Sequence, residues 1–167
     1  MKGKQKQETM GKRKTVLLAL LFIICYLVFN NPLHAQTAAR IERLLGQNTV
    51  SYQEAALLAL EASGHLDPAK NTKAGDAFNF AMKSGWLPAN AKAGDTVNLK
   101  GLSLLIARAF GIKGGLFYSI FKNQHYAYRT LVYYNIIQGR ADPLMYVTGE
   151  FLLFIVNRAM YLNGIGE

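Results

Sequence analysis

The chain has 167 residues, 51% hydrophobic and 17% charged, with nineteen basic against ten acidic side chains and a net charge of +9. Six of the basic residues lie before residue 15, so residues 36–167 hold thirteen basic and nine acidic residues, a scattered net charge of +4 that argues against a nucleic-acid binder. The one cysteine, Cys25, falls in an apolar run, which excludes a disulfide framework and a thiolate metal site from residues 36–167.

The first 35 residues read as a secretory signal peptide. A basic stretch (Lys2, Lys4, Lys6, Lys12, Arg13, Lys14) leads into an apolar run from Val16 to Phe29, and Leu33-His34-Ala35 offers a cleavage site. Met10 to Ala35 is a complete signal by itself, so Met10 is an alternative start. The run is 14 residues long, short of the roughly 20 that span a bilayer; an uncleaved anchor is the alternative, and membrane contact is expected only if the segment is retained. The 132 residues from Gln36 suit one domain.

Within that domain, Thr37 to Leu45 is predicted as a short helix with Thr37 as cap and Ile41, Leu44 and Leu45 as its apolar side. A second helix runs from Ser51 to Ser63 and stops at Gly64. The polar loop His65 to Gly75 contains Asp67-Pro68 and Asn71-Thr72-Lys73. Asp76 to Ser84 is a third helix, with Phe78, Ala81 and Met82 at helical spacing and Trp86-Leu87-Pro88 after it. Lys113 to Asn123 is a further helix or an aromatic-rich link, His125 opens a helix ending near Asn135, and no period-two strand is found.

A sixteen-residue pattern recurs through these elements without gaps, at Thr49 to Gly64, Thr96 to Gly111 and Tyr146 to Tyr161, with offsets of 47 and 50 residues. Each copy has a valine (Val50, Val97, Val147) followed by a helix N-cap (Ser51, Asn98, Thr148). The cap side chain can take an orphan N–H of the first turn, and the valine can pack on the residue at N4 (Ala55, Leu102, Leu152). Glu54 at N3 completes a capping box in the first copy. Ala127 and Tyr128 match Ala77 and Phe78 at the same offset of 50, so the repeating unit is a helix pair. The expected fold is all-α, built from helix-loop-helix units at about 37–64, 72–112 and 117–164.

His125-Tyr126-Ala127, Ile136-Ile137-Gln138-Gly139, Asp142-Pro143 and Val147-Thr148 before an apolar helix resemble the surface-layer homology (SLH) domain. That family has a His-Trp-Ala start, a glycine after the first helix and an Ile-Thr-Arg-Ala-Glu motif opening the second. The resemblance covers Thr49 to Gly164 and is clearest in the third unit. It implies a three-pronged helical bundle that attaches non-covalently to cell-wall polymers. The motif arginine, which lines the family's binding groove, falls here on Tyr52, Leu99 and Gly149, and the motif glutamate survives only as Glu54.

Catalytic signatures are few. The three histidines are isolated, no Cys/His cluster exists, and phosphate-loop, dinucleotide and nucleophile-elbow patterns are absent, so neither a metal nor a cofactor is expected. Most of the acids have structural readings, such as Glu54 in a cap and Asp67 and Asp142 before prolines, so a muralytic carboxylate pair is the least favoured reading. Tyr118, Phe121, Tyr126, Tyr128, Tyr133, Tyr134 and Tyr146 crowd the third unit, where they can stack on sugars, form a partner interface or fill the core.

The candidate binding residues are Trp86, Arg108, His125, Tyr126, Arg129, Arg140 and Arg158. The leading expectation is an exported periplasmic or cell-envelope module, without catalysis, that binds peptidoglycan or a wall-associated polymer. The alternative is a periplasmic adaptor for an envelope or membrane protein. Convergence of Arg108, Arg129, Arg140 and Arg158 with Trp86 and Tyr126 in one groove favours the polymer, and scattered arginines favour the adaptor.

Overall fold

The structure, a computed structural model, describes residues 32–115, 121, 123–139 and 141–164. These residues are all-helical. Among them six α-helices and no strand are found: α1 (Pro32–Leu45), α2 (Tyr52–Ala62), α3 (Ala74–Lys83), α4 (Leu99–Ala109), α5 (Gln124–Tyr133) and α6 (Gly149–Leu162). A single 3-10 turn, Pro68–Lys70, is opened by the Asp67 carboxylate, which accepts from Ala69 N–H at 2.9 Å. The chain divides between Arg40 and Ile41. The first unit is described only over 32–40, as the opening turns of α1, and the core belongs to the second, Ile41–Glu167.

Two expectations near the N-terminus change. Helix α1 starts at Pro32 and not at Thr37, because a proline at the first helical position loses only an N–H that has no intrahelical partner there. Of its expected apolar side only Leu44 is buried, at 2% exposure, while Ile41 and Leu45 face solvent. The apolar run Val16 to Phe29 and Cys25 lie outside the described residues. Among the described residues no helix is long and apolar enough to cross a membrane.

The three copies of the sequence pattern meet through their backbones. Val50 N–H donates to Val147 O (3.0 Å), Val147 N–H to Val97 O (3.1 Å), and Val97 N–H to Val50 O (2.9 Å), a closed ring of three hydrogen bonds. The valine side chains at these positions are at most 1% exposed. Just after the ring, the first N–H of each following helix is taken by a neighbouring copy: Tyr52 N–H by Asp95 O (3.0 Å), Leu99 N–H by Met145 O (2.9 Å) and Gly149 N–H by Gln47 O (3.0 Å). Helix N-termini carry four N–H groups without intrahelical partners. Here one comes from the neighbouring turn and another from the helix's own cap, as when Asn98 Oδ1 accepts from Gly101 N–H (2.8 Å) and Thr148 Oγ1 from Phe151 N–H (3.2 Å).

The first copy caps differently. The Glu54 carboxylate accepts from Ser51 N–H (3.2 Å), Ser51 Oγ–H (2.7 Å) and the Gln47 side-chain amide (3.0 Å). Burial opposes ionisation of this carboxyl, but the bonds from Gln47 and Ser51 and the charge of Arg43 outweigh it and leave its pKa below the ordinary glutamate value of 4.5. A carboxylate more acidic in the folded than in the unfolded chain stabilises the fold above the unfolded pKa, and that contribution fades as pH falls through the lowered folded value. Glu54→Gln is therefore expected to lower the urea midpoint at neutral pH and to bring it close to the wild type in acid. Parallel unfolding curves for the two proteins at neutral and acidic pH check this.

Around the ring the helices pack as neighbours. Helix α3 lies mainly against α2 and α5 mainly against α4, while α2 also meets α4 and α6. Leu60, Leu99, Leu102, Leu105, Ile106, Leu152 and Ile155 are fully buried at the centre of this packing. The helix ends converge as well. His65, just past α2, donates from Nε2 to Ala109 O in the last turn of α4 (2.9 Å), and the Asn163 amide beyond α6 donates to Phe110 O.

Candidate functional site

The column where the SLH resemblance places ligand-facing residues is closed. Tyr52 is 6% exposed, Leu99 is 0% and Gly149 is buried. An added Cβ on Gly149 would lie 1.6 Å from the backbone carbonyl oxygen of Leu44, so this position holds glycine because main chain occupies the side-chain space. The Tyr52 hydroxyl sits beside Gly101, 2.2 Å from where a Cβ would be, and burial followed by the negative charge of Asp95 raises the pKa of this phenol. The reading of Tyr52, Leu99 and Gly149 as groove-facing is therefore corrected: all three belong to the packing between copies.

The open surface lies around α5. Asn123 Oδ1 caps this helix by accepting from Tyr126 N–H (3.1 Å), and Ala127, Thr130 and Leu131 form its buried face. Helical spacing then places Tyr126, Arg129 and Tyr133, at i, i+3 and i+7, on one outward stripe. Tyr133 is 79% exposed. Two neighbouring phenols are held as walls, Tyr128 Oη–H donating to Ala141 O (2.6 Å) and Tyr134 Oη–H to Lys113 O (2.9 Å). Phe121 stacks on Tyr126 with ring centres 5.8 Å apart, and His125 meets the same ring edge-on at 5.3 Å.

Three grooves adjoin on this surface. The first, about 500 Å³, is bounded by Gly114, Gly115, the Tyr126, Arg129 and Tyr133 stripe, Thr130 and Tyr134. The second, about 530 Å³, shares Tyr134 and continues along Phe154, Asn157, Arg158 and Tyr161 of α6. The third, about 560 Å³, shares Arg129 and Tyr133 and reaches Tyr128, Ala141 and Asp142. Each volume falls in the range of ligand sites. Among the described residues no carboxylate lines the first two grooves, and in the third the Asp142 Oδ1 is turned to Leu144 N–H (2.8 Å).

The expected site residues are thus partly brought together. Tyr126 and Arg129 share the first groove, beside His125, and Arg158 lines the second with its guanidinium 5.4 Å above the Phe154 ring. Trp86 lies elsewhere, 4.9 Å from His65 and 5.6 Å from Phe80 by ring centres, and lines none of the three grooves. Arg108 is half-buried with its Nε enclosed and unpartnered among the described residues, and it too lines none of the three grooves. Arg140 and Tyr118 lie outside the described residues.

Thr130, Phe154, Asn157 and Tyr161 are groove residues that the sequence did not single out. The spacing of Phe154 and Tyr161 at i and i+7 on α6, with the candidate Arg158 at i+4, is the signal that could have found two of them. No group of three or more metal-ligating side chains is placed to hold an ion among the described residues. Comparison of the chain with family models, curated proteins and solved structures finds no match.

Proposed function

We propose that this chain is an exported, non-catalytic module of the cell envelope that docks non-covalently on peptidoglycan or a wall-associated polymer through the grooves around α5. The observation that carries the reading is the sharing of wall residues. Tyr134 is a wall of both the first groove and the second, and Arg129 with Tyr133 of both the first and the third, so a chain crossing these shared walls would follow one tyrosine-lined track. An extended polymer fits a track better than a small molecule does. Flat tyrosine faces stack on sugar rings while their hydroxyls stay wet. Arg129 and Arg158 supply guanidinium forks for the acidic groups of such a polymer. The signal-like first 35 residues support export.

Retention of the chain on purified peptidoglycan sacculi at low salt is the expected result, with release as salt rises because the arginines contribute electrostatically. No retention at low salt sinks wall binding. The scatter of the arginines, with Arg129 and Arg158 in different grooves and Arg108 and Trp86 in none of the three, and the closed column at Tyr52, Leu99 and Gly149 favour a second reading, an adaptor that uses the groove tyrosines and arginines on an envelope protein, since these residue types are enriched at protein interfaces.

A further inference from the structure

Among the described residues two polar side chains are buried, Ser103 and Thr130. Ser103 Oγ–H donates one turn back to Leu99 O (2.6 Å), a common outlet for a hydroxyl inside a helix. Thr130, at 7% exposure on the buried face of α5, makes no such bond: among the described residues its Oγ1 meets no hydrogen-bond partner. It is not sealed in either, because the enclosed, unpartnered side-chain atoms there are Gln47 Oε1 and Arg108 Nε. Its opening is the first groove, which Thr130 lines. A hydroxyl withdrawn from water and left unbonded costs free energy, so this one keeps hydrogen-bonding capacity for whatever enters the groove.

We infer that Thr130 is the specificity-determining residue of the first groove, its Oγ–H donating to a singly charged oxyanion that the Arg129 guanidinium grips; the inference rests on the wall-docking reading above. The lining chemistry gives the class of ligand. Arg129 can only donate, and the exposed Tyr133 hydroxyl can donate as well, whereas the Tyr134 proton is already committed to Lys113 O. Among the described residues no carboxylate lines this groove to compete for those donors. One guanidinium matches one negative charge, and its fork takes two oxygens of the same group. Carboxylates of peptidoglycan stem peptides and phosphodiesters of a wall-associated polymer share that chemistry. The buried hydroxyl adds discrimination that exposed groups lack, since a ligand with no acceptor at that point leaves it unpaired as water is excluded.

The test measures retention of the full chain and of Thr130→Val, which keeps the branched shape and loses the hydroxyl. Three preparations of sacculi are used: untreated, with carboxyls converted to neutral amides by carbodiimide and ethanolamine, and with phosphodiesters cleaved by hydrofluoric acid. On untreated sacculi Thr130→Val is expected to bind about tenfold more weakly, the weight of one hydrogen bond to a charged group, and Thr130→Ser to keep most of the wild-type binding. One of the treatments should lower wild-type retention and erase its advantage over Thr130→Val, and the treatment that does so identifies the oxyanion. Equal retention of Thr130→Val and wild type on untreated sacculi, a Thr130→Ser protein as weak as Thr130→Val, or a defect that survives both treatments overturns the inference and leaves wall docking standing. A wild type that untreated sacculi do not retain sinks wall docking and this inference with it. If Thr130→Val does not fold, Thr130→Ala, which also lacks the hydroxyl, takes its place.

Discussion

Replacing Gly149 with alanine is expected to destabilise the fold by about 3 kcal/mol or more, at or beyond the upper end of ordinary overpacking, with a melting temperature lower by roughly 10 °C. The new methyl would stand 1.6 Å from Leu44 O and 2.5 Å from its carbonyl carbon, and neither is the end of a flexible side chain. The last turn of α1 would have to move, and with it the Gln47 carbonyl that takes Gly149 N–H. Gly101→Ala is the informative comparison. Its methyl meets the Tyr52 hydroxyl at 2.2 Å and Cζ at 3.1 Å, so Tyr52→Phe in the same chain should recover part of the loss. Urea unfolding of the two alanine variants and the double variant checks this. A Gly149→Ala protein as stable as the wild type would mean that the approach of Leu44 does not hold.

The same geometry bears on function. In the SLH family the arginine column faces a ligand, but here it is interior, and returning an arginine to position 149 or 99 would need space that backbone or core already fills. Any polymer site must therefore lie on different residues from those the resemblance points to. That moves attention to α5, where the side chains are exposed and the grooves adjoin.

What was legible in the sequence follows the range of the forces involved. The caps at Ser51, Asn98 and Thr148 and the glycine stops at Gly64 and Gly111 act within one helical turn and are where the pattern places them, whereas the third copy has Tyr161 at the stop position and its helix runs on to Leu162 before Gly164. The valine column was legible as a recurrence, but its reading as packing on N4 misses the backbone ring, because a bond from Val50 to Val147 has no local signature. The start of α1 was misplaced because Thr37 resembles a cap more than Pro32 does, although proline is well suited to a first helical position. The Tyr126, Arg129 and Tyr133 stripe was in the sequence as helical spacing. The walls opposite it, Gly114 and Ala141, come from segments that only the tertiary fold brings near. Trp86 shows the reverse, since its candidacy rested on residue type alone, and folding places it with His65 and Phe80 instead.

Arg129→Ala and Tyr133→Ala are each expected to weaken retention on sacculi about tenfold or more, because truncated tyrosine and arginine anchors at the centre of a site cost roughly 2 kcal/mol or above. Both residues belong to two grooves at once, so either truncation interrupts the track in its middle and not at an end. Stability should hardly change: Arg129 and Tyr133 are exposed, and substitutions at such positions usually stay within about 0.5 kcal/mol. Arg129→Lys separates charge from geometry, since it keeps the cation and loses the planar fork that grips a carboxylate with two bonds. Trp86→Ala serves as the control that leaves binding intact, for it lines none of the three grooves. Binding isotherms on sacculi for the four variants check all of this together. If Trp86→Ala reduces retention as much as Tyr133→Ala, the site is not the track. If none of the four matters while a photo-crosslinker at Tyr133 captures one envelope protein in cells, the grooves hold a protein partner and the adaptor reading replaces the polymer.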